Sequence, residues 1–405
     1  MPNKPSPALA ILIGLLLWAL ASQLIAALSW GHASFQLTEW LINYSGGFVR
    51  RGLPGALIGS ISETTRIQAN YIAIFLGLLC YLLLATYLLR RATPTFPAIL
   101  ILSCIVIGLP AYQDSIVRKD CLGLLFLIGI LAVDRSRLPR TTAILFINIL
   151  AGLAILSHET FVFYALAAFI LFRHRDREEV TLADFTRRSL SLLPAAGCFF
   201  LTVIYHGTPE QAEAVNQSWL PLWRLTDPGN LGMETPSAAI SALGWTSEQG
   251  LSLSLYLLTS GFYQPMAWTM VFVIAFGLVI LFTDRDNMNS ASTRLDVKIK
   301  FTALLVGQWI LISPLFLLGV DYGRWLFLWV VSSIILYIND RRAPRWLESL
   351  VESIFIKAKL PQLFERLPAK DWYLLFFGVP VCWNLHNFLF ASPISRHLET
   401  IWRWF

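Results

Sequence analysis

Residues 8–28 form a run of 21 residues without a charge, ALAILIGLLLWALASQLIAAL. A helix of this length crosses a hydrocarbon core about 30 Å thick. Similar blocks recur to the C-terminus, and only 14% of the 405 residues are charged, against about 25% in soluble domains. The sequence therefore predicts an all-α, polytopic transmembrane helix bundle in which residues 1–405 form a single integral membrane domain. The first block is too long for a signal peptide, so we interpret it as the first spanning helix.

The number of spans follows from comparing each apolar block with the roughly 17–25 residues that a spanning helix needs. About eleven blocks qualify, and a further segment at 250–263 is apolar enough to enter the membrane partway, which gives ten to twelve spans. The eleven predicted cores are 8–28, 70–89, 97–112, 119–133, 142–157, 160–172, 189–205, 265–283, 301–319, 325–338 and 372–391.

The loop charges predict the orientation of the bundle. With a cytoplasmic N-terminus, the inner side holds 22 of the 31 Lys and Arg residues, and the outer side holds 9 of them with 12 acidic residues. Basic loops favour the cytoplasmic side. The inner segment 340–371 interleaves Lys and Arg with Leu, Ile and Phe, which predicts an amphipathic stretch on the inner leaflet. The expected location is a plasma membrane, most simply the bacterial inner membrane.

The composition argues against two other kinds of site. The five cysteines lie in or beside apolar blocks without CxxC spacing, so neither a disulfide framework nor a metal site is predicted. The net charge of +6 follows from the inner loops and does not predict a nucleic-acid partner. No cofactor is predicted, although isolated outer carboxylates are able to bind a divalent cation.

Four short outer motifs carry charges at membrane edges. They are GGFVRRG with Arg50 and Arg51, QDSIVRKD with Asp114, Arg118, Lys119 and Asp120, SHET with His158 and Glu159, and DYGRW with Asp321 and Arg324. The predicted topology places all four at one depth on one face. Charges near bilayer depth are costly unless they are paired or face a polar cavity, so each is a functional candidate.

Each motif also has a purely structural interpretation. The acidic residues of the second motif flank its cations, and Asp321 lies one helix turn from Arg324, so a local ion pair accounts for any single motif. The four motifs together favour a shared function, because simple interfacial anchoring would use Trp, Tyr and Lys on both faces of the membrane.

The first outer loop, residues 29–69, combines a predicted juxtamembrane helix at 29–42 with an arginine-glycine turn. Glycine costs about 1 kcal/mol inside a helix but permits positive φ and close approach of the backbone to a ligand. The glycines of this turn are Gly46, Gly47 and Gly52. Two guanidiniums beside such a turn bind phosphate oxygens in pairs. The predicted ligand is a lipid head group: a polyprenyl phosphate or diphosphate that carries a sugar, or an anionic phospholipid.

Acid–base chemistry is available beside these cations. Candidate phosphate-binding residues are Arg50, Arg51, Arg118, Lys119 and Arg324, supported by Gly46, Gly47, Gly52, Asp120 and Asp321. Candidate catalytic residues are Glu39, Asp114, Glu159 and His158. A carboxylate that stays ionised near arginines is able to deprotonate an acceptor hydroxyl while the cations stabilise a departing phosphate. A lone histidine at a helix end, such as His158, is more often a capping or packing residue.

The largest outer loop, residues 206–250, is rich in tryptophan and amides. Indole faces stack on sugar rings, and amides bond sugar hydroxyls, so Trp219 and Trp223 are candidate sugar-binding residues. The alternative is the ordinary belt of aromatic residues at a membrane interface.

These features resemble polytopic enzymes that handle polyprenyl-linked sugars, namely GT-C class glycosyltransferases and O-antigen or capsule polymerases. A long first outer loop follows helix 1, and DSIVRKDCLGLLFLIGIL at 114–131 looks like the outer motif that opens their fourth helix. HETFVFYALAAFIL at 158–171 looks like a motif opening their sixth helix, and DYGRW is similar to their late arginine motifs. GT-C enzymes usually carry an acidic base, often Asp, in the first outer loop. This loop offers Glu39 and Glu63 and no Asp.

The resemblance implies a GT-C-like membrane glycosyltransferase of the hexosyl-transferring type, with a polyprenyl-linked sugar or glycan as partner, acting in cell-envelope polysaccharide synthesis. A transporter or flippase of lipid-linked or anionic substrates and a non-catalytic envelope-complex protein remain open. Transporters usually show internal repeats and broken helices near the midplane, whereas here the charges gather on one face. An outer-face acyltransferase centred on His158 and Glu159 is a variant of the enzyme hypothesis.

Overall fold

The computed structural model describes residues 6–29, 34–113, 115–175, 180–223, 236, 238–261, 263–283, 291–381, 383, 385 and 390–396. Helices dominate these ranges. They are α1 (Pro7–Ser29), α2 (Phe35–Thr38), α3 (Gly52–Thr65), α4 (Ala69–Arg91), α5 (Ala98–Leu102), α6 (Gly108–Tyr112), α7 (Asp120–Asp134), α8 (Arg140–Ser157), α9 (Ala167–Leu171), α10 (Leu182–Ser191), α11 (Leu193–Ile204), α12 (Pro209–Trp223), α13 (Ala238–Ser241), α14 (Ser247–Ser260), α15 (Tyr263–Phe282), α16 (Ala291–Ile312), α17 (Pro314–Leu318), α18 (Tyr322–Ile338), α19 (Arg345–Lys357), α20 (Leu360–Arg366) and α21 (Trp372–Phe376).

Two short antiparallel strand pairs accompany the helices. Strand β1 (Arg173–His174) pairs with β2 (Arg341–Arg342), and β3 (Val379–Pro380) pairs with β4 (Phe390–Ala391). Short 3₁₀ helices lie at Glu39–Leu41 and Ala242–Gly244, and a π-helix at Val162–Leu166 leads directly into α9. A single-turn π-helix inside a longer helix is often found at functional sites.

Five of the described helices are long and apolar enough to cross a membrane: Pro7–Leu28, Ala69–Arg91, Arg140–Ser157, Gln264–Phe282 and Arg294–Leu318. The bent pair α10 and α11 raises the number to six if it forms one span. The chain is thus an all-α, multi-pass membrane protein. The prediction of about eleven spans is not confirmed by the described helices.

Several predicted spans consist of shorter pieces. The predicted span 97–112 is divided between α5 and α6. Within 189–205 the chain bends by 63° between α10 and α11, since Pro194 has no N–H to continue a helical ladder. The predicted span 372–391 is wrong over its described residues, because α21 ends at Phe376 and the following chain forms the β3–β4 pair.

Helices α7 and α18 run parallel and in register through the bundle. At one end Arg324 bonds Asp120 at 2.8 Å, and at the other Arg135 bonds Asn339 at 3.1 Å; both pairs are separated by 204 residues. A constant separation means that the two helices advance together over the intervening 15 residues, about 22 Å of helix. Helix α18 is buried from Tyr322 to Tyr337. We call the end with Arg324 the outer end, following the orientation predicted from the loop charges, and the opposite end the inner end.

Arginines also organise the inner end. Arg341 on β2 pairs with Asp134 at the end of α7, donates to the carbonyl of Phe172 at 3.3 Å, and lies 4.8 Å from the ring centroid of Phe169. These contacts place a cation on the C-terminal ends of two helices, where the helix dipole favours positive charge. The amphipathic segment predicted at 340–371 contains α19 and α20, and α19 packs against α16.

The two ties between α7 and α18 are predicted to differ in their contribution to stability. Asp120→Asn leaves the buried charge of Arg324 undercompensated and should lower the free energy of unfolding by about 3–5 kcal/mol. At the inner end Arg135 also bonds the half-exposed carboxylate of Asp340 beside Asn339, and the matched change Asp340→Asn should cost less than about 1 kcal/mol. Thermal unfolding in detergent, followed by the reaction of a thiol dye with the buried cysteines, measures both. An equal loss of stability in the two variants would contradict the stronger role predicted for the Asp120–Arg324 pair.

Candidate functional site

Five separate segments bring charged side chains together at the outer end of the bundle. They are the 3₁₀ turn at Glu39–Leu41, the arginine-glycine turn, the start of α7, the turn after α8 and the start of α18. We call the group the outer cluster. Its members are Glu39, Arg50, Arg51, Arg118, Lys119, Asp120, His158, Glu159, Asp321 and Arg324.

Arg324 lies at the centre of the cluster. Its guanidinium donates to Asp120 at 2.8 to 3.2 Å and to Asp321 at 3.0 Å, and Asp321 also accepts from Arg118 at 2.9 Å. The local pair between Asp321 and Arg324 is therefore present. Asp120 pairs with Arg324, which lies 204 positions later in the sequence. Desolvated charges of this kind are stable only when their donors and acceptors are used.

Arg118 is held by two aromatic rings as well as by Asp321. Its guanidinium carbon lies 5.2 Å from the ring centroid of Phe35 and 5.2 Å from that of Trp383. A guanidinium between aromatic faces is stabilised by cation–π attraction. Arg118 therefore contacts side chains of the protein at both rings and at Asp321.

Glu39 is the most deeply buried carboxylate of the cluster, with a side chain that is 0% exposed. Its Oε1 lies 2.9 Å from His158 Nε2, 3.5 Å from Arg324 Nη2 and 3.9 Å from Arg51 Nη1. Its Oε2 has no hydrogen-bond partner among the described residues. Burial alone would raise the pKa of Glu39, but Arg324, His158 and Lys119 together hold it well below its ordinary value. Glu39 is an ionised carboxylate whose Oε1 lies against His158 and whose Oε2 accepts no hydrogen bond within the described residues.

His158 connects Glu39 to Arg324. Its Nε2 lies 2.9 Å from Arg324 Nη2, and its Nδ1 lies 2.8 Å from the hydroxyl of Thr160. The backbone N–H of Thr160 also donates to Nδ1 at 3.4 Å, and Nε2 lies 2.9 Å from Glu39 Oε1 as well as from Arg324. Burial, reinforced by Arg51, lowers the pKa of His158 to about 4. The neutral ring agrees with this hydrogen-bond pattern.

Lys119 differs from the two buried arginines of the cluster, Arg118 and Arg324. It is 1% exposed, and its Nζ has no hydrogen-bond partner among the residues that the structure describes. Glu39 is the carboxylate with the largest electrostatic effect on it. The cluster contains five cations and four carboxylates, so one positive charge is not matched, and Lys119 is the cation without a bonded carboxylate.

The solvent-facing layer of the cluster consists of Arg50, Arg51 and Glu159. Arg51 donates through Nε to both oxygens of Glu159, at 2.8 and 3.0 Å, and through Nη2 to Oε1. Arg50 Nη1 lies 3.8 Å from the same carboxylate. The side chains of Arg50 and Glu159 are 27% and 17% exposed, in contrast to the fully buried Glu39 beneath them. Burial would raise the pKa of Glu159, but Arg51 and its neighbours hold it well below its ordinary value.

The backbone of the arginine-glycine turn is unusual at Arg51. Its φ of 64° lies in the left-handed region, where a non-glycine residue costs roughly 1–2 kcal/mol. Arg51 is also the residue that precedes the first turn of α3. Such strain is often found at functional sites, and here it directs the Arg51 side chain to Glu159.

The three glycines of the turn contact the protein itself. Gly47 adopts a φ of +100°, as the predicted turn requires. A Cβ on Gly46 would lie 3.0 Å from the backbone of Gln211 in α12, and one on Gly52 would lie 2.3 Å from the ring of Tyr44. The close approaches predicted for a ligand are therefore made at Gly46 and Gly52 by the chain's own segments.

Two predicted features of the outer loops differ from the structure. The expected juxtamembrane helix at 29–42 is reduced to α2 and a 3₁₀ turn over its described residues, and it is buried in protein. Trp219 is 1% exposed and its indole N–H donates to the carbonyl of Leu41 at 2.7 Å, which differs from the accessible ring face that sugar stacking needs. Asp114 and the side chain of Trp223 lie outside the described residues.

The sequence interpretation missed the tether that brings the first loop to α7. The indole N–H of Trp40 donates to the carbonyl of Val117, directly before Arg118 and Lys119. A tryptophan next to the candidate base Glu39 was the available signal, because a buried indole N–H needs an acceptor.

Within the described ranges, no group of three or more His, Cys, Asp or Glu residues is placed to hold a metal ion. Comparison with known protein families, with characterised proteins and with solved structures finds no match for this chain.

Protonation of His158 is predicted to destabilise the protein at mildly acidic pH. The pKa of His158 in the folded protein is about 4, below the ordinary 6.5. Its contribution to the free energy of unfolding is therefore complete above pH 6.5 and is lost as the pH falls. The stabilising contributions of Glu39 and Glu159 begin to fall only near their ordinary pKa of 4.5. Between pH 6.5 and 4.5 the wild type should lose up to roughly 3 kcal/mol that His158→Gln does not lose. Unfolding temperatures across this range measure the difference, and parallel curves would refute it.

Proposed function

We propose that this protein transfers a sugar at the outer face of the membrane from a polyprenyl-phosphate or polyprenyl-diphosphate donor, as a GT-C-like glycosyltransferase or polymerase of cell-envelope polysaccharide. The observation that carries the proposal is Glu39, an ionised carboxylate buried among cations whose Oε2 has no hydrogen-bond partner in the described chain. A general base needs an available lone pair and must be unprotonated at the working pH.

The proposed reaction uses two parts of the outer cluster. An acceptor hydroxyl attacks the anomeric carbon of the donor sugar, and its proton passes to Glu39. The bond between the anomeric carbon and the phosphate oxygen breaks, and its electron pair leaves with the phosphate. Lys119, which has no bonded carboxylate, and the partly exposed Arg50 and Arg51 supply positive charge to that leaving group. Arg118 and Arg324 are engaged by aspartates and act by positioning the other groups.

The surroundings of the cluster support a substrate with an apolar chain. A groove of about 350 Å³ is lined by Trp268, Phe272, Phe276, Trp309, Phe316 and Trp329. Its wall also includes Tyr322, which lies between Asp321 and Arg324 in sequence. The proposal assigns this apolar groove to the hydrocarbon tail of a substrate whose anionic head lies at the outer cluster. The proposal places the protein in the bacterial inner membrane, with shorter helices such as α7 and α18 completing the predicted spans.

Transfer is tested with the purified protein in liposomes. The donors are polyprenyl-phosphate and polyprenyl-diphosphate sugars labelled in the sugar, with envelope glycolipids as acceptors, and the readout is label in the acceptor. Glu39→Gln should reduce the rate about 100-fold or more, because the amide does not accept the proton. The control is Glu63→Gln, which alters an exposed carboxylate of the same loop and should retain full activity. Absence of transfer by the wild type with every donor, or full activity in Glu39→Gln, would exclude the proposal.

A further inference from the structure

Glu159 lies where an anionic ligand of Arg50 and Arg51 would bind. Its two oxygens accept from Arg51 Nε, one of them also from Arg51 Nη2, and Arg50 Nη1 is 3.8 Å away. A carboxylate held by the fork of one arginine beside a second guanidinium has the geometry that arginines also offer to phosphate. The Glu159 carboxylate thus balances the charge of Arg50 and Arg51, the two cations of the outer cluster that face solvent.

The carboxylates that bond the other arginines of the cluster are less accessible to replacement by a ligand. Arg324 and Arg118 are buried, and each is bonded to an aspartate at the start of α7 or α18. The Arg51–Glu159 pair is instead partly exposed, so water or a ligand reaches it directly.

The segment that carries Glu159 is built for local adjustment. It is a short turn after the extended residue His158, which ends α8, and it leads into the π-helix Val162–Leu166. A π-helix holds an extra residue in the helical turn, so small changes of register are possible there. On the other side of the pair, Arg51 is held in a left-handed backbone conformation.

The pair also lies over the candidate base. Arg51 Nη1 is 3.9 Å from Glu39, and Glu159 Oε2 is 3.8 Å from His158 Nδ1. Glu39 is fully buried beneath this layer, so an acceptor reaches it only when the layer changes.

We propose that Glu159 is an internal substitute for the substrate's phosphate: it fills the Arg50–Arg51 site in the free protein and is displaced when a prenyl phosphate binds. The displaced carboxylate moves toward solvent, and the exchange opens a path to Glu39. The identity of the ligand as a prenyl phosphate rests on the proposed function, whereas the competition between Glu159 and an anion does not.

The first test measures binding of tritiated farnesyl phosphate to the purified full-length protein in detergent. Glu159→Gln removes the competing charge and keeps the shape, so it should bind about tenfold more tightly than the wild type. Glu159→Asp keeps the charge and should remain within about twofold of the wild type, and Arg51→Ala should lose binding. Competition by inorganic phosphate distinguishes recognition of the head alone from recognition of head and chain. Equal or weaker binding by Glu159→Gln would overturn the proposal.

The second test needs no variant. Carbodiimide labelling of Glu159 in the wild type, quantified by mass spectrometry, should increase when farnesyl phosphate is added, because a released carboxylate is more accessible and more readily protonated. Decreased or unchanged labelling would overturn the proposal even if Glu159→Gln failed to fold. If labelling increases but no sugar is transferred, the anion site stands and the transferase function fails. If sugar is transferred but labelling does not increase, this inference alone fails.

Discussion

The buried guanidinium of Arg324 is the interaction on which the outer half of the molecule depends. It bonds Asp120 and Asp321 and lies against Glu39 and His158, so one side chain connects four of the five segments of the outer cluster. Removing a guanidinium from water costs several kcal/mol unless its donors are used. That requirement fixes the register of α7 against α18 and keeps the first loop and the turn after α8 in contact with both.

The convergence of the outer motifs could be predicted because it depends on topology alone: apolar length sets the spans, and loop charge sets the side. The pairing within the cluster could not. Sequence proximity suggested that Asp120 neutralises its neighbours, whereas it bonds Arg324, and Arg51 takes its partner Glu159 from 108 residues away. Ion pairing is decided by which helix ends meet in space, and a single sequence contains no record of that.

The predicted span count is not confirmed, for a related reason. Apolar content measures the preference of a segment to leave water, and lipid and protein interior satisfy that preference equally. Helix α18 is buried by protein from Tyr322 to Tyr337, so its apolar residues reflect packing as much as membrane depth. Trp219 shows the same ambiguity in a polar loop, where an aromatic residue suited to sugar binding fills the core beside Leu41.

The common separation of 204 residues at both ends of α7 and α18 has a mechanical consequence. Two parallel helices fastened at each end resist both sliding and rotation relative to one another, so they behave as one rigid wall of the cluster. The opposite wall, formed by the start of α3 and the turn after α8, is joined across its exposed edge by the contacts of Arg51 and Arg50 with Glu159. Any rearrangement that admits a molecule to the cluster therefore deforms the second wall and leaves the first in place.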